Sequence, residues 1–406
     1  MLSKVKIIFN LQLILNIIFF IYLVLSKNYI KINYIVFSIA LLILIVSLFN
    51  PKIKIFKLSS NFLEIATLPF IFRYLASNFI QYLSSLNMIS LPLIGCFSCL
   101  ISFFINFPLV MVNYRKIDNW FLRLISVQAL MISYELLAFP LIGNSIIDAL
   151  LRYRIIDIIS FFIIAILILK KWKINFRWNF TIVHMTITQA LTVLLLLIFS
   201  IWLIGFNQFG NMGSNLSEAF FYWKDIIQSS LNINTTAFLK AITPSFMEEI
   251  ERFFNISILL LATYKMKYKR WTATLGSAFI FSVGHWPNLL NHISLNDLST
   301  QIITTFSMGC LFAVIYLCTG KLWLIIAIHF LNDLIGFSIT STSPYSLRLG
   351  ILTSYYNGML TSVLIFVLPL LASVLILSFK ETRQLINNNI RVVLVKSFKT
   401  ICHIIS

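Results

Sequence analysis

"TPSFMEEIERFFN", Thr243 to Asn255, sets three glutamates and an arginine within five positions, directly ahead of an apolar run. The chain otherwise avoids charge: 59% of its 406 residues are hydrophobic and 11% charged, with 13 acidic residues in all. An ionisable side chain inside a membrane span costs roughly 2.5–3.5 kcal/mol, so it persists where it faces protein or a water-filled cavity and marks function. Arg252 follows Glu248 by four positions on the same helical face, where pairing lowers that cost.

The surroundings make this a membrane question. Apolar segments recur near 7–26, 33–49, 61–81, 89–113, 121–143, 155–170, 180–206, 246–264, 271–285, 300–319, 322–339 and 356–379. Many approach the length of about 20 residues that a helix needs to cross a bilayer. In lipid each span satisfies its own backbone hydrogen bonds as a helix. The expected fold is therefore an all-α, polytopic transmembrane bundle of about 10–12 spans, multi-pass in the cell membrane with lipid as its first partner. Glu64 and Arg73 interrupt the third segment, which leaves it open to an interfacial placement.

The net charge of +18 does not point to nucleic acid, because the 31 Lys and Arg residues sit at the ends of apolar segments. Lys4 and Lys6, Lys52 to Lys57, Arg115 and Lys116, Lys170 to Arg177, Lys265 to Arg270, and Lys380 to Arg391 alternate onto one side, cytoplasmic by the positive-inside rule. Lys27, Lys31, Arg152 and Arg154 fall on the other side. This topology puts Glu248 and His285 near the external ends of their spans, whereas a helix starting near Ala237 would move Glu248 towards mid-membrane. Five cysteines, at 96, 99, 310, 318 and 402, read as packing residues, and the single C-x-x-C pair lacks the second pair that a structural metal site needs. The first segment reads as an uncleaved span, having no small-x-small cleavage site. Four regions follow: an amino-terminal bundle, 1–206; a loop, 207–235; a polar-rich core, 236–379; and a basic tail, 380–406, expected to rest on the anionic leaflet.

Within the core, "FSVGHWPN" spaces Phe281 and His285 four apart, and "LWLIIAIHFLND" does the same for His329 and Asp333, so each pair shares a helix face. His184 reads as a packing histidine. With these three stretches in view, the chain resembles the CPBP family of intramembrane endopeptidases (CAAX-processing and bacteriocin-processing proteases), whose signature is Glu-Glu-x-x-x-Arg, Phe-x-x-x-His and His-x-x-x-Asn/Asp on successive helices. Here "EEIER", "FSVGH" and "HFLND" stand in that order between Phe246 and Phe337. Arg252 comes one residue early. Matching the glutamates makes Glu248 and Glu249 the pair, with Arg252 reaching Glu248 at i+4 or Glu249 at i+3; matching the arginine puts Met247 in the first glutamate's place and implies an inactive relative. The glutamate match is the expectation.

The resemblance implies a glutamate-dependent hydrolysis without cofactor. Glu248 is the base that activates water, His285 shares the proton work, and His329 with the Asp333 position stabilises the oxyanion. Asp333 stands where the family often has asparagine, so it would orient His329 instead of donating a bond. A zinc ion held by Glu248, His285 and His329 is the rival chemistry, against which no H-E-x-x-H arrangement is present. The implied substrate is a membrane-associated peptide or protein, with bacteriocin or pheromone processing or self-immunity as family-level roles in a bacterial plasma membrane. A catalytically inactive immunity or scaffold protein is the alternative, and a transporter the third reading, against which the polar residues gather in one half only.

Overall fold

The computed structural model describes residues 2–25, 45, 54–86, 90–135, 145–175, 185–212, 215–286, 288, 294–339 and 355–391. The chain is all-α: among the described residues there is no strand, and the one β-type contact is an isolated antiparallel bridge between Leu231 and Ile339. The expected span at 33–49, His184 and the tail beyond 391 lie outside the described residues. The chain divides into two compact units, Met1–Lys173 and Ile174–Ser406.

The first unit contains α1 (Leu2–Leu25), α2 (Lys54–Ser85), α3 (Leu91–Val112), α4 (Trp120–Glu135), α5 (Ser145–Arg152) and α6 (Ile155–Lys171). Its organising feature is polar. Glu64 and Arg73 of α2 are 4% and 3% exposed, so both face protein and neither marks an interfacial helix. Arg73 Nε lies 3.2 Å from Asp157 Oδ1 of α6, and its Nη2 reaches both the second oxygen and the Tyr134 carbonyl. Glu64 accepts a bond from Asn113. Tyr134 Oη, Ser160, Ser102 and Asn106 continue the network at 2.7–2.9 Å. Buried polar groups in a bundle are mostly bonded to one another, and these bonds join α2, α3, α4 and α6.

The second unit contains α7 (Ile187–Phe209), α8 (Leu216–Phe220), α9 (Lys224–Ser230), α10 (Thr235–Ala262), α11 (Lys269–Val283), α12 (Leu295–Thr319), α13 (Leu322–Ser338), α14 (Tyr355–Ser378) and a last helix, α15 (Lys380–Arg391). Local chemistry sets these boundaries. Asn234 caps α10 by accepting from Ala237 N at 2.9 Å, Thr186 and Gln189 form a capping box on α7, and Ser294 caps α12. Gly320 ends α12 at φ 64°, a left-handed turn that glycine adopts without strain, and α13 starts two residues later.

Three described helical stretches, Leu91–Lys116, Ile187–Phe209 and Leu295–Thr319, are long and apolar enough to cross a membrane on their own, and the bent pair Val363–Ser378 and Lys380–Arg391 makes a fourth. Several of the expected spans lie wholly or partly outside the described residues, and others carry ionisable groups or are short. α10 carries Glu248, Glu249, Glu251 and Arg252, α2 carries Glu64 and Arg73, and α13 is 17 residues long. Such helices are membrane elements by virtue of their protein neighbours. α15 turns 83° away from α14 and buries Leu385, Ile386 and Ile390, while Asn389 donates to the carbonyls of Leu317 and Cys318 at the end of α12. Its apolar residues thus pack on protein, and Lys380, Arg383 and Arg391 stay exposed.

Candidate active site

α10 begins at its Asn234 cap, eleven residues ahead of the expected start at 246, and this resolves the placement of the acidic cluster. At 1.5 Å per residue, Glu248 lies about 20 Å from either end of the 28-residue helix. It is a mid-helix residue; the charge-based placement near an external end does not hold, because the cap at Asn234 and the segment after it extend the helix upstream. Pro244 stands one turn before Glu248, where it has no N–H to offer the Lys240 carbonyl. His285 stands two residues past the end of α11, beyond its Gly284 cap, and not within the helix that the motif spacing predicts.

Five of the six expected residues, Glu248, Arg252, His285, His329 and Asp333, line one cavity of about 290 Å³; Glu249 lies directly behind it. The two adjacent glutamates have opposite environments. Glu249 is fully buried and held on both sides: Arg252 donates to it from Nε at 2.8 Å and Nη2 at 3.2 Å, and His329 Nδ1 donates at 2.7 Å. Glu248 keeps 24% of its side-chain surface open, and the contact found for it is His329 Nε2 at 3.7 Å. Arg252 therefore pairs with Glu249 at i+3 and not with Glu248, so the early arginine still closes on the glutamate pair.

Packing explains why a guanidinium can stay there. Arg252 is 1% exposed, with its charge 4.0 Å from the Phe281 ring centre and 5.6 Å from that of Phe312, so both faces of its surroundings are aromatic. Gly309 of α12 makes the space: a Cβ there would stand 2.8 Å from Arg252 Nη1. Phe281, the first residue of the second motif, thus supports the arginine while its carbonyl, 3.1 Å from His285 Nδ1, orients the histidine. Because a carbonyl can only accept, Nδ1 carries the proton and the lone pair of the neutral ring sits on Nε2.

His329 is the hub. With Nδ1 committed to Glu249, Nε2 faces both Glu248 Oε2 and Asp333 Oδ2, the latter at 3.5 Å. Asp333 accepts from Asn332 Nδ2 at 3.2 Å, and Asn332 in turn accepts from Asn207 and Gln208 of α7. Sequence reasoning passed over Asn207, Gln208 and Asn332, and also the two aromatic partners of Arg252 as a pair. The signal was present: "FNQF" breaks an apolar run with two adjacent amides, and polar residues within a span are functional candidates by default. Among the described residues, no group of three or more His, Cys, Asp or Glu side chains is arranged to hold a metal ion.

The structure is a multi-helix bundle with a carboxylate, two histidines and an arginine-locked second carboxylate around one cavity. The sequence profile of the family described as Rce1-like, type II CAAX prenyl endopeptidase Rce1-like, matches residues 231–335 of the 406, and over that segment the chain is similar to the family. The match spans α10 to α13 and contains all six residues. No curated protein and no solved structure matches the chain.

Proposed function

We propose that the chain is an intramembrane endopeptidase that hydrolyses a peptide bond in a membrane-associated peptide or protein, using water activated by Glu248. The observation that carries this reading is the division between the glutamates. Glu249 is saturated by Arg252 and His329, whereas Glu248 opens onto the cavity with capacity to take a proton. Two neighbouring carboxylates with different surroundings have different roles.

In this reading water sits between Glu248 and the scissile carbonyl. Glu248 takes one proton as the oxygen attacks carbon, and the same proton passes to the departing amine as the C–N bond breaks. His285, its Nδ1 fixed on the Phe281 carbonyl, presents Nε2 as a second proton acceptor. His329 Nε2–H, when protonated, is the donor for the oxyanion, and Arg252 holds Glu249 and so His329 in place. Zinc held by Glu248, His285 and His329 is the rival arrangement. The setting we propose is a bacterial plasma membrane, with peptide processing or self-immunity as the role.

The test is cleavage of two internally quenched peptides by the purified protein in lipid nanodiscs, with a chelator present. One peptide ends in a farnesylated cysteine plus three residues; the other is an unlipidated apolar helix. Chelator-resistant cleavage that is lost in Glu248→Gln and His329→Ala supports the reading. Cleavage abolished by the chelator moves it to zinc. Cleavage that survives Glu248→Gln removes Glu248 as the base, and no cleavage of either peptide or of membrane extracts favours a binding protein.

A further inference from the structure

α7 lies outside the segment that the family profile matches, yet its last turn reaches the cavity. Gln208 Nε2 donates to the Asn332 side-chain oxygen at 3.0 Å and to the Asn332 carbonyl at 3.2 Å, and Asn207 Nδ2 donates to the same side-chain oxygen at 3.2 Å. An amide oxygen that accepts twice fixes which end of the amide is which. Asn332 must then present Nδ2 as a donor, and that atom lies 3.2 Å from Asp333 Oδ1. The other Asp333 oxygen is the one that faces His329 Nε2. Gly336, one turn beyond Asn332, admits the contact: a Cβ there would stand 3.2 Å from Gln208 Oε1.

We propose that Asn332, clamped by Asn207 and Gln208, is a positioning residue that selects which oxygen of Asp333 meets His329. The end of α7 is thereby part of the working site. A fixed direction of bonding runs from the α7 amides through Asn332 to Asp333, and Asp333 is the anion that meets Nε2 of the hub histidine. Without the Asn332 donor the Asp333 carboxylate is free to rotate, and His329 loses the fixed partner that sets its ring orientation and its share of the proton. The effect on cleavage rests on the function proposed above; the effect on His329 does not.

The test therefore has two readouts on the full chain in nanodiscs: the Nε2 resonance of His329 by 15N NMR, assigned with His329→Gln, and turnover of the farnesylated peptide. Asn332→Asp keeps shape and acceptors but loses the donor, Asn332→Leu loses both, and Asn207→Leu with Gln208→Leu removes the clamp from the α7 side. In all three the His329 resonance shifts, and kcat falls about tenfold to hundredfold with KM little changed, the size expected for one hydrogen bond to a charged acceptor. Gly336→Ala moves the resonance in the same direction by a smaller step. A His329 resonance unchanged in both Asn332→Asp and the α7 double variant overturns the proposal, as does loss of turnover with that resonance unmoved. If the wild type cleaves no peptide, the function fails while the resonance still decides the positioning role; if Asn332→Leu does not fold, the other variants decide it.

Discussion

Arg252→Met tests the reasoning about the site most sharply, because the arginine is argued to be structural support for Glu249. Removing one partner of a buried ion pair leaves an uncompensated charge and costs about 3–5 kcal/mol. Glu249 has no exposed surface, and its remaining partner, His329 at 2.7 Å, draws the loss towards the lower end, about 3 kcal/mol. Contact with Phe281 at 4.0 Å adds a cation–π loss of about 1–2 kcal/mol, part of which the methionine sulfur restores against the same ring. The assay is reversible unfolding in mixed detergent micelles. Adding Glu249→Gln to Arg252→Met removes the stranded charge, so the double variant is more stable than the single one. A single variant within about 0.5 kcal/mol of wild type, the size of a surface change, refutes the argument. So does a double variant whose loss is the simple sum of the two single losses, since the partners would then not be coupled.

Glu248→Gln leaves unfolding within about 1 kcal/mol of wild type, because the residue keeps 24% exposure and has no close bond to lose, while cleavage falls by about 10²–10⁴; comparable losses in both measurements would make Glu248 a structural residue. Gly309→Ala destabilises by about 1–3 kcal/mol, as its methyl meets Arg252 Nη1 and Ala278, whereas Gly95→Ala in α3 meets nothing within 4 Å and stabilises by about 0.5–1 kcal/mol through helix propensity. Equal effects in unfolding measurements would contradict the account of Gly309. Arg73→Met strands Asp157 and costs the first unit about 3–5 kcal/mol, yet turnover per folded molecule stays at the wild-type level; a change in kcat would tie that pair to the chemistry. α10 placed alone in a host protein with glycosylation reporters fails to span, since its four central ionisable residues cost on the order of 10 kcal/mol, and replacing them with leucine restores spanning. Full insertion of the native α10 in isolation would show that its cluster does not depend on neighbouring helices.

The all-α bundle and most helix positions were legible because apolar runs and their polar breaks carry them directly; α3, α6 and α12 begin within a few residues of expectation. The five residues that line the cavity, and Glu249 behind it, were legible as motifs, for spacing of three and four survives any uncertainty in where a helix starts. What was not legible depends on partners distant in sequence. Whether Arg252 chose Glu248 or Glu249 is settled by Phe281, Phe312 and Gly309, which leave its guanidinium room on one side only. The depth of Glu248 hinged on Asn234, a single capping side chain. The amide clamp from α7 lies over a hundred residues from Asn332, and no local period announces such a contact.

The acidic cluster is tolerated in the membrane because it never meets lipid as separate charges. Glu249 is neutralised by Arg252 from its own helix, and Phe281, Phe312 and Gly309 of the neighbouring helices hold the guanidinium on that partner. Glu251, also buried, accepts from Asn255 Nδ2 at 3.1 Å on the same helix, while Glu248 and Asp333 are set around one histidine from α13, so their cost is met only when α10 and α13 come together. The ion-paired half of the site is thus built within one helix and the reactive half between two. A site so divided keeps Glu248 under-bonded: the hydrogen bonds at 2.7–3.2 Å all go to Glu249, His329 Nε2 stays 3.7 Å from Glu248, and the carboxylate left facing the cavity is the one with spare capacity for a proton.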